Sequence, residues 1–173
     1  MTWTAPAVER PLSPRLADER TCLQGWLDWH RLALLAKCTG LTHGQLALRS
    51  CEPSRLSLLG LVRHMAEVEA WWFRSNLTGV HAHGFYGPDD NLEGDFEDLD
   101  AVPAEEVFAR FADECRLADE AAAALPLETT FRSIGRGTEL DLRWLYLHMI
   151  EEYARHNGHA DLLRERIDGV TGD

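Results

Sequence analysis

Apolar residues recur every three or four positions along most of the chain, which is the spacing that places them on one face of an α-helix. Four long stretches of the 173 residues show this pattern, and they predict helices over residues 16–38, 57–77, 103–125 and 141–166. A short helical piece is predicted close to residues 42–48. The pattern therefore predicts an all-α fold, a four-helix bundle with one short additional helix.

Residues at the ends of these stretches carry the local signals of helix starts and stops. Ser57 and Asp141 stand where their side-chain oxygens can accept a hydrogen bond from a backbone N–H group in the first turn. Pro103 suits the first turn of the third helix, because an N–H group would have no partner there. Gly40 and Gly169 are typical helix stops, so these signals support the predicted boundaries.

Three segments lack the helical pattern. The first 14 residues contain three prolines and predict an extended arm, which wraps the bundle or packs on a partner. The long connection between the second and third helices has seven carboxylates within residues 89–100, which is typical of a solvated loop, with calcium binding as the less favoured alternative. Residues 133–138 predict a short hairpin or an irregular loop. We expect residues 1–173 to form one domain, of which residues 1–14 are the arm.

Composition and charge narrow the classes of function. A hydrophobic content of 45% suffices for a single core, and the formal net charge of -12 repels nucleic-acid phosphates and anionic lipids. No apolar run reaches the roughly 18 to 20 residues that a membrane helix needs, and the beginning of the chain does not resemble a signal peptide. The four cysteines form no C-x-x-C pair, which favours reduced structural thiols. We therefore expect a cytoplasmic protein with neither a nucleic-acid nor a membrane partner.

Four polar side chains share one narrow face of the last predicted helix: His148, Glu152, His156 and His159. At about 100° per residue, they fall within about 80° of one another. Leu145 and Leu163 lie on the same face, so these polar groups point toward the core, where a lone ionisable side chain is strongly disfavoured. We therefore expect a bound partner or mutual contacts that satisfy them.

His64 on the second helix is also predicted to point toward the core, because the apolar residues Val68 and Trp72 lie within about 80° of it. A single buried histidine is more often a hydrogen-bonded core residue than a ligand, and a histidine beside one glutamate is an ordinary buried pair. Five inward polar groups on two helices instead favour a metal site of the kind found in bundle cores. Glu152 and His156, one helical turn apart, then supply two ligands, and His64 supplies the third.

Three protein ligands leave coordination positions open, which is the layout of a catalytic zinc or non-haem iron site rather than of a closed structural one. The other two inward histidines, His148 and His159, are then candidate catalytic residues that support the ligands or contact the substrate. Trp26, Trp29 and Trp144 stand beside polar residues and are candidates for a pocket border, although most tryptophans belong to a core. These patterns do not identify a substrate.

Two segments carry a family resemblance: LLGLVRHMAEVE at residues 58–69 and HMIEEYARHNGH at residues 148–159. They are similar to segments of the DinB-like superfamily of metal-binding helical bundles, which includes mycothiol-dependent maleylpyruvate isomerases and thiol S-transferases. Many members carry two metal-binding histidines spaced i, i+4 on the last helix, with a polar residue three positions later. These positions align here with Glu152, His156 and His159, and the glutamate matches the carboxylate of the isomerase branch.

The resemblance implies a DinB-like four-helix bundle with one divalent metal ion held by His64, Glu152 and His156. Zinc is favoured, with nickel, iron and manganese as alternatives. The resemblance further implies an enzyme that activates a low-molecular-weight thiol, mycothiol or another, for S-transfer to an electrophile or for cis–trans isomerisation. Bundles of this superfamily commonly pair, and the N-terminal arm offers an exchangeable contact, so a homodimer is expected.

Several residues allow more than one assignment. His30, predicted to face inward from the first helix, and Trp144 are candidates for binding the thiol cofactor, although His30 is also readily explained as a core histidine bonded to a backbone carbonyl. His148 is an alternative to Glu152 as a ligand, because its segment echoes the one that contains His64. Two other functions stay open: a metal-dependent hydrolase in which an inward histidine shuttles the proton, and a stress-related or structural metal-binding bundle without turnover.

Overall fold

Five α-helices and one short β-hairpin make up the computed structural model, which describes residues 2–87, 91 and 93–171. The helices are α1 (Glu19–Cys38), α2 (His43–Leu46), α3 (Leu58–Glu69), α4 (Ala104–Ala122) and α5 (Leu142–Asp168). Antiparallel strands β1 (Thr130–Arg132) and β2 (Glu139–Asp141) form the hairpin, one of the two structures predicted before the last helix. The predicted all-α bundle is confirmed, with α1 packed along α5 and α3 packed along α4. Two carboxylates of the acidic run lie outside the described residues: Asp89 and Asp90.

Local capping explains where the helices begin and end. The side chains of Ser57 and Asp141 each accept a backbone N–H bond from the first turn of α3 and α5, so both predicted N-caps are confirmed. α1 begins at Glu19 rather than at residue 16, because the Asp18 side chain supplies its cap. α4 stops at residue 122 instead of 125, where the chain enters a turn. Gly169, with a φ of 79°, follows the last residue of α5 as predicted.

The second long helix changes its geometry partway along. Ala70–Asn76 form a π-helical segment, whereas the sequence predicted an ordinary α-helix as far as residue 77. A π-helix closes i→i+5 hydrogen bonds, and it is rare beyond a single turn. Within the segment, the side-chain amide of Asn76 donates to the carbonyl of Trp71 at 2.8 Å. Apolar periodicity does not distinguish this wider turn, so the predicted helix type was wrong here although the extent of the element was right.

A buried ion pair links three helices across the core. Nε and Nη2 of Arg31 on α1 each lie 2.8 Å from a carboxylate oxygen of Glu69, the last residue of α3. The hydroxyl of Tyr153 on α5 donates to the same carboxylate at 2.7 Å. Because all three side chains are buried, this cluster fixes α1, α3 and α5 relative to one another just before the π-helical segment begins.

Side chains of α3 hold the long connection between α3 and α4 in place. Arg63 donates to the carbonyl of Gly94 at 3.0 Å, and Glu67 accepts hydrogen bonds from three consecutive backbone N–H groups, those of residues 84–86. The connection was predicted to be a solvated loop, and this prediction is wrong for Phe96, whose ring is buried against the bundle. The connection therefore forms a wall beside α3.

Gly60 allows the long connection to approach α3 closely, because a Cβ atom at this position would lie 2.5 Å from Cδ1 of Phe96. We expect Gly60→Ala to lower the free energy of unfolding by about 1–3 kcal/mol, since the buried ring must move. Gly158→Ala is the matched control: α5 has free space there, and alanine should stabilise the helix by about 0.5–1 kcal/mol. Urea denaturation measures both changes. A Gly60→Ala protein as stable as the wild type contradicts the close approach.

The N-terminal arm packs on its own chain. The N–H of Ala5 donates to the carbonyl of Leu41 at 2.9 Å, and the N–H of Gly40 donates to the carbonyl of Ala5 at 2.8 Å. The rings of Trp3 and Phe108 meet edge to face, with 5.4 Å between their centroids. The arm therefore takes the first of its two predicted roles and wraps the bundle, while the homodimer stays a prediction.

Two expectations from composition can be compared with the structure. All four cysteines are free thiols, as predicted. Burial raises the pKa of Cys38 to about 12, so this thiol stays protonated at neutral pH and is a poor nucleophile. Among the helices of the described residues, none is both long and apolar enough to cross a membrane.

Candidate metal centre

Three residues from two helices converge in the interior of the bundle: His64 of α3, and Glu152 and His156 of α5. Each offers one candidate ligand atom, and these three atoms lie within 4.8 Å of one another. Zinc binds nitrogen and oxygen ligands at about 2.0–2.2 Å, so two ligands of one ion stand at most about 4.4 Å apart. Small side-chain rotations therefore suffice to let these atoms share an ion.

The donor atoms of the cluster face one another. Oε2 of Glu152 lies 3.4 Å from Nε2 of His156, one turn further along α5. The rings of His64 and His156 approach edge to face, with 4.8 Å between their centroids. All three residues are partly buried, so the cluster is accessible without being fully solvated.

Both histidines of the cluster have a polar neighbour at Nδ1. Oδ2 of Asp95 lies 3.0 Å from Nδ1 of His64, and Nδ1 of His159 lies 3.4 Å from Nδ1 of His156. A histidine that donates its Nδ1–H to a carboxylate keeps the lone pair of Nε2 for a metal, and such outer contacts accompany most metal-bound histidines. The contact with Asp95 therefore leaves Nε2 of His64 for a metal, and Nε2 of His156 is the atom that lies 3.4 Å from Glu152.

The chemistry of this donor set fits a divalent cation. Burial lowers the pKa of His156 to about 4, with the neighbouring His64 and His159 contributing in the same direction. The His156 imidazole is therefore neutral at pH 7, and its lone pair is available. Two imidazoles and one carboxylate with further positions open suit zinc or non-haem iron.

His148 lies beside Glu152, and its ring also contacts Trp72 of the π-helical segment, with 4.7 Å between centroids. Its Nε2 is 3.8 Å from Oε1 of Glu152, and its ring stacks on Trp144 with 4.8 Å between centroids. Burial lowers the pKa of His148. His148, Glu151 and Glu152 form a second group of candidate ligands, but this group comes from one helix, and Glu151 is exposed. The two-helix cluster is therefore the better site for a metal.

The structure separates His30 from the candidate ligands. Nδ1 of His30 lies 3.3 Å from the side-chain nitrogen of Asn157, which also donates to the His30 backbone carbonyl at 3.0 Å. Within the described residues, no hydrogen bond, ion pair or ring contact joins His30 to His64, Glu152 or His156. Its position matches a histidine hydrogen-bonded between α1 and α5, and its role as a thiol-binding residue stays a prediction.

A cavity of about 650 Å³ opens beside His64. It is lined by α3 and its π-helical continuation on one side, and by the long connection and the hairpin on the other. The lining residues are His64, Glu67, Val68, Trp71, His81, His83, Gly84, Gly87, Asn91, Gly94, Asp95 and Ile134. The cavity is large enough for a small-molecule reactant, and the candidate metal centre lies at its edge through His64.

Most of this lining was not predicted from the sequence. Trp71, rather than the predicted Trp26, Trp29 or Trp144, borders the cavity. Asp95 was counted among solvated acidic residues, and the sequence does not indicate that it contacts a residue 31 positions away. A signal that the sequence did offer is the pair of histidines that flank Ala82, at positions 81 and 83, both of which line the cavity.

Together, the bundle and this cluster define a DinB-like fold with a candidate metal centre between α3 and α5. The chain belongs to the mycothiol S-transferase family, because the sequence model of that family matches residues 22–169. This range contains all three candidate ligands and the whole lining of the cavity. The resemblance to the DinB-like superfamily is thereby confirmed. The comparison with curated proteins and that with solved structures each found no significant match.

Proposed function

We propose that the protein is a metal-dependent thiol S-transferase, in which His64, Glu152 and His156 bind one divalent cation and mycothiol or another small thiol is the sulfur donor. The observation that carries the proposal is the convergence of these three side chains next to a 650 Å³ cavity, which His64 lines. A structural metal site is normally closed by four protein ligands, whereas this cluster has three and adjoins open space. Membership of the mycothiol S-transferase family supports a small thiol as the sulfur donor.

A thiol is a weak nucleophile at neutral pH. With a pKa of about 8.5 it is only a few per cent ionised at pH 7, and a bound divalent cation supplies the positive charge that stabilises the thiolate. The chain itself provides the ligands, keeps the reactants together and limits access of water through the cavity walls. The thiolate sulfur then forms a bond to an electrophilic carbon, and the leaving group departs with the electrons of the broken bond.

Two further histidines take separate roles in this proposal. His148, which burial keeps neutral at pH 7, accepts the thiol proton on Nε2, the atom 3.8 Å from Glu152. His159 acts through the metal site, because its Nδ1 contacts Nδ1 of His156 and restrains that ring. His159 is thus a positioning residue.

Steady-state rates with mycothiol, bacillithiol and glutathione against a panel of electrophiles test this function. The metal-loaded protein should accelerate carbon–sulfur bond formation with at least one thiol, and the metal-free protein and the His64→Ala variant should not. Hydrolysis of the electrophile without thiol would favour a metal-dependent hydrolase. Background rates throughout, at full metal occupancy, would instead favour a binding bundle without turnover.

Asp95 provides a second test, because the proposed site gives it the task of orienting His64. We expect Asp95→Asn to weaken zinc binding by about 10–100-fold, the range typical of carboxylates that contact a metal-bound histidine. Asp98→Asn is the matched control: it removes the same charge from an exposed position of the same loop. Competition with a chromophoric chelator gives both dissociation constants. Equal affinities for the two variants would show that the 3.0 Å contact between Asp95 and His64 does not support a metal ligand.

A further inference from the structure

A second cavity, of about 360 Å³, adjoins the first. It is lined by Ser75, Asn76, Gly79, His81, His83, Arg132 and Ile134. Three of these residues also line the cavity beside His64: His81, His83 and Ile134. The two cavities therefore adjoin each other along these three side chains.

The walls of the second cavity are fixed by the end of the π-helical segment. The buried hydroxyl of Ser75 accepts the N–H of Ala82 at 3.1 Å, which anchors the segment that carries both histidines. The next residue, Asn76, accepts the N–H of Ile134 at 2.7 Å and so anchors the hairpin. Two consecutive side chains thus hold the two sides of the cavity, which makes it a built feature of the fold.

Arg132 places a positive charge on the wall of this cavity. Its guanidinium forms no hydrogen bond or ion pair with any of the described residues, including Glu139, which is opposite in the hairpin register. Many other arginines of the chain, Arg31 and Arg143 among them, pair with carboxylates. The Arg132 side chain is exposed, so its guanidinium is solvated and available to an anionic group that enters the cavity.

We propose that the second cavity is a subsite for a carboxylate group of a small-molecule reactant, with Arg132 as its cationic partner. A guanidinium presents paired N–H donors that match the two oxygens of a carboxylate. One guanidinium balances one negative charge, which suits a carboxylate better than a phosphate dianion in so acidic a protein. The subsite rests on the proposed function only in one respect: the other end of the reactant lies at the candidate metal centre.

Equilibrium binding of 3-phenylpropionate and 3-phenylpropionamide, followed by tryptophan fluorescence without thiol, tests the subsite directly. The wild type should bind the acid about tenfold more tightly than the amide, as expected for a hydrogen-bonded charge pair. Arg132→Gln should remove this preference. Arg136→Gln, which removes a charge from the same hairpin outside the cavity lining, should keep it. Absence of acid binding, equal binding of acid and amide, or an unchanged preference in Arg132→Gln would overturn the subsite.

A kinetic comparison separates this proposal from the proposed function. With thiol and zinc-loaded protein, 4-bromocrotonate and its amide each form a carbon–sulfur bond at C4 and release bromide. After division by the uncatalysed rates, kcat/KM should favour the acid about tenfold, and Arg132→Gln should abolish this preference. Turnover of both reagents without preference contradicts the subsite and leaves the transferase in place. Preferred binding of the carboxylate without any turnover supports the subsite and contradicts the transferase.

Discussion

Replacing His156 with alanine is expected to abolish stoichiometric metal binding. His156 is the only one of the three candidate ligands that contacts both others, through its ring on His64 and its Nε2 beside Glu152. Loss of an outer contact typically weakens metal binding about 10–100-fold, so loss of a ligand should weaken it by more than about 100-fold. Elemental analysis of protein purified without chelators, before and after dialysis, measures the effect.

His43→Ala is the control for this experiment, because His43 lies at the start of α2 and contacts Asp100 rather than the cluster. It should keep the full metal content. Circular dichroism must show that both variants remain helical. Full metal retention in His156→Ala would contradict the ligand set. It would favour the second group of candidate ligands, His148, Glu151 and Glu152 on α5, which His148→Ala then tests.

Replacing Arg31 with methionine is expected to lower the free energy of unfolding by about 3–5 kcal/mol, which is the usual effect of removing one partner of a buried ion pair. Glu69 is fully buried, and without Arg31 its carboxylate has two hydrogen-bond donors left among the described residues, the hydroxyl of Tyr153 and the thiol of Cys115 at 3.9 Å. Such a loss is large beside the total stability of a typical domain. The midpoint and slope of urea denaturation give its size.

Two further variants show whether the unpaired charge of the buried Glu69 causes the loss of stability. Arg116→Met removes an arginine from an exposed ion pair with Glu120, and it should leave stability nearly unchanged. The double variant Arg31→Met with Glu69→Leu should recover part of the loss, because it leaves no buried charge unpaired. The other two carboxylates that contact Arg31, those of Asp28 and Asp119, are partly exposed and remain solvated. An Arg31→Met protein that loses less than about 1 kcal/mol would contradict the importance of the pair.

The features that depend on local sequence could be predicted. Ser57 and Asp141 form caps through hydrogen bonds to residues three positions away, and the face of a helix follows from its fixed rotation per residue. His64, Glu152 and His156 were expected to meet because each lies on the inward face of a helix. The inward faces of the helices in a bundle pack around one core, so side chains on two such faces lie close together.

The features that depend on distant contacts could not be predicted. Arg31 is buried because Glu69, 38 positions away, neutralises it, whereas Trp26, a large apolar residue of the same helix, is 39% exposed. Asp95 reaches His64 only because the long connection folds back on α3. The π-helical segment likewise has no local signature, although it sets the position of Trp71 in the cavity.

Zinc titration of the metal-free protein, with the rate of mycothiol transfer as the readout, tests the central claim most directly. The rate should rise in proportion to added zinc and reach its plateau at one equivalent per chain, because three residues form one site. The His156→Ala variant should stay at the uncatalysed rate over the same range. A rate that does not change with zinc in the wild type, or a plateau that His156→Ala also reaches, would contradict a thiol transferase built on His64, Glu152 and His156.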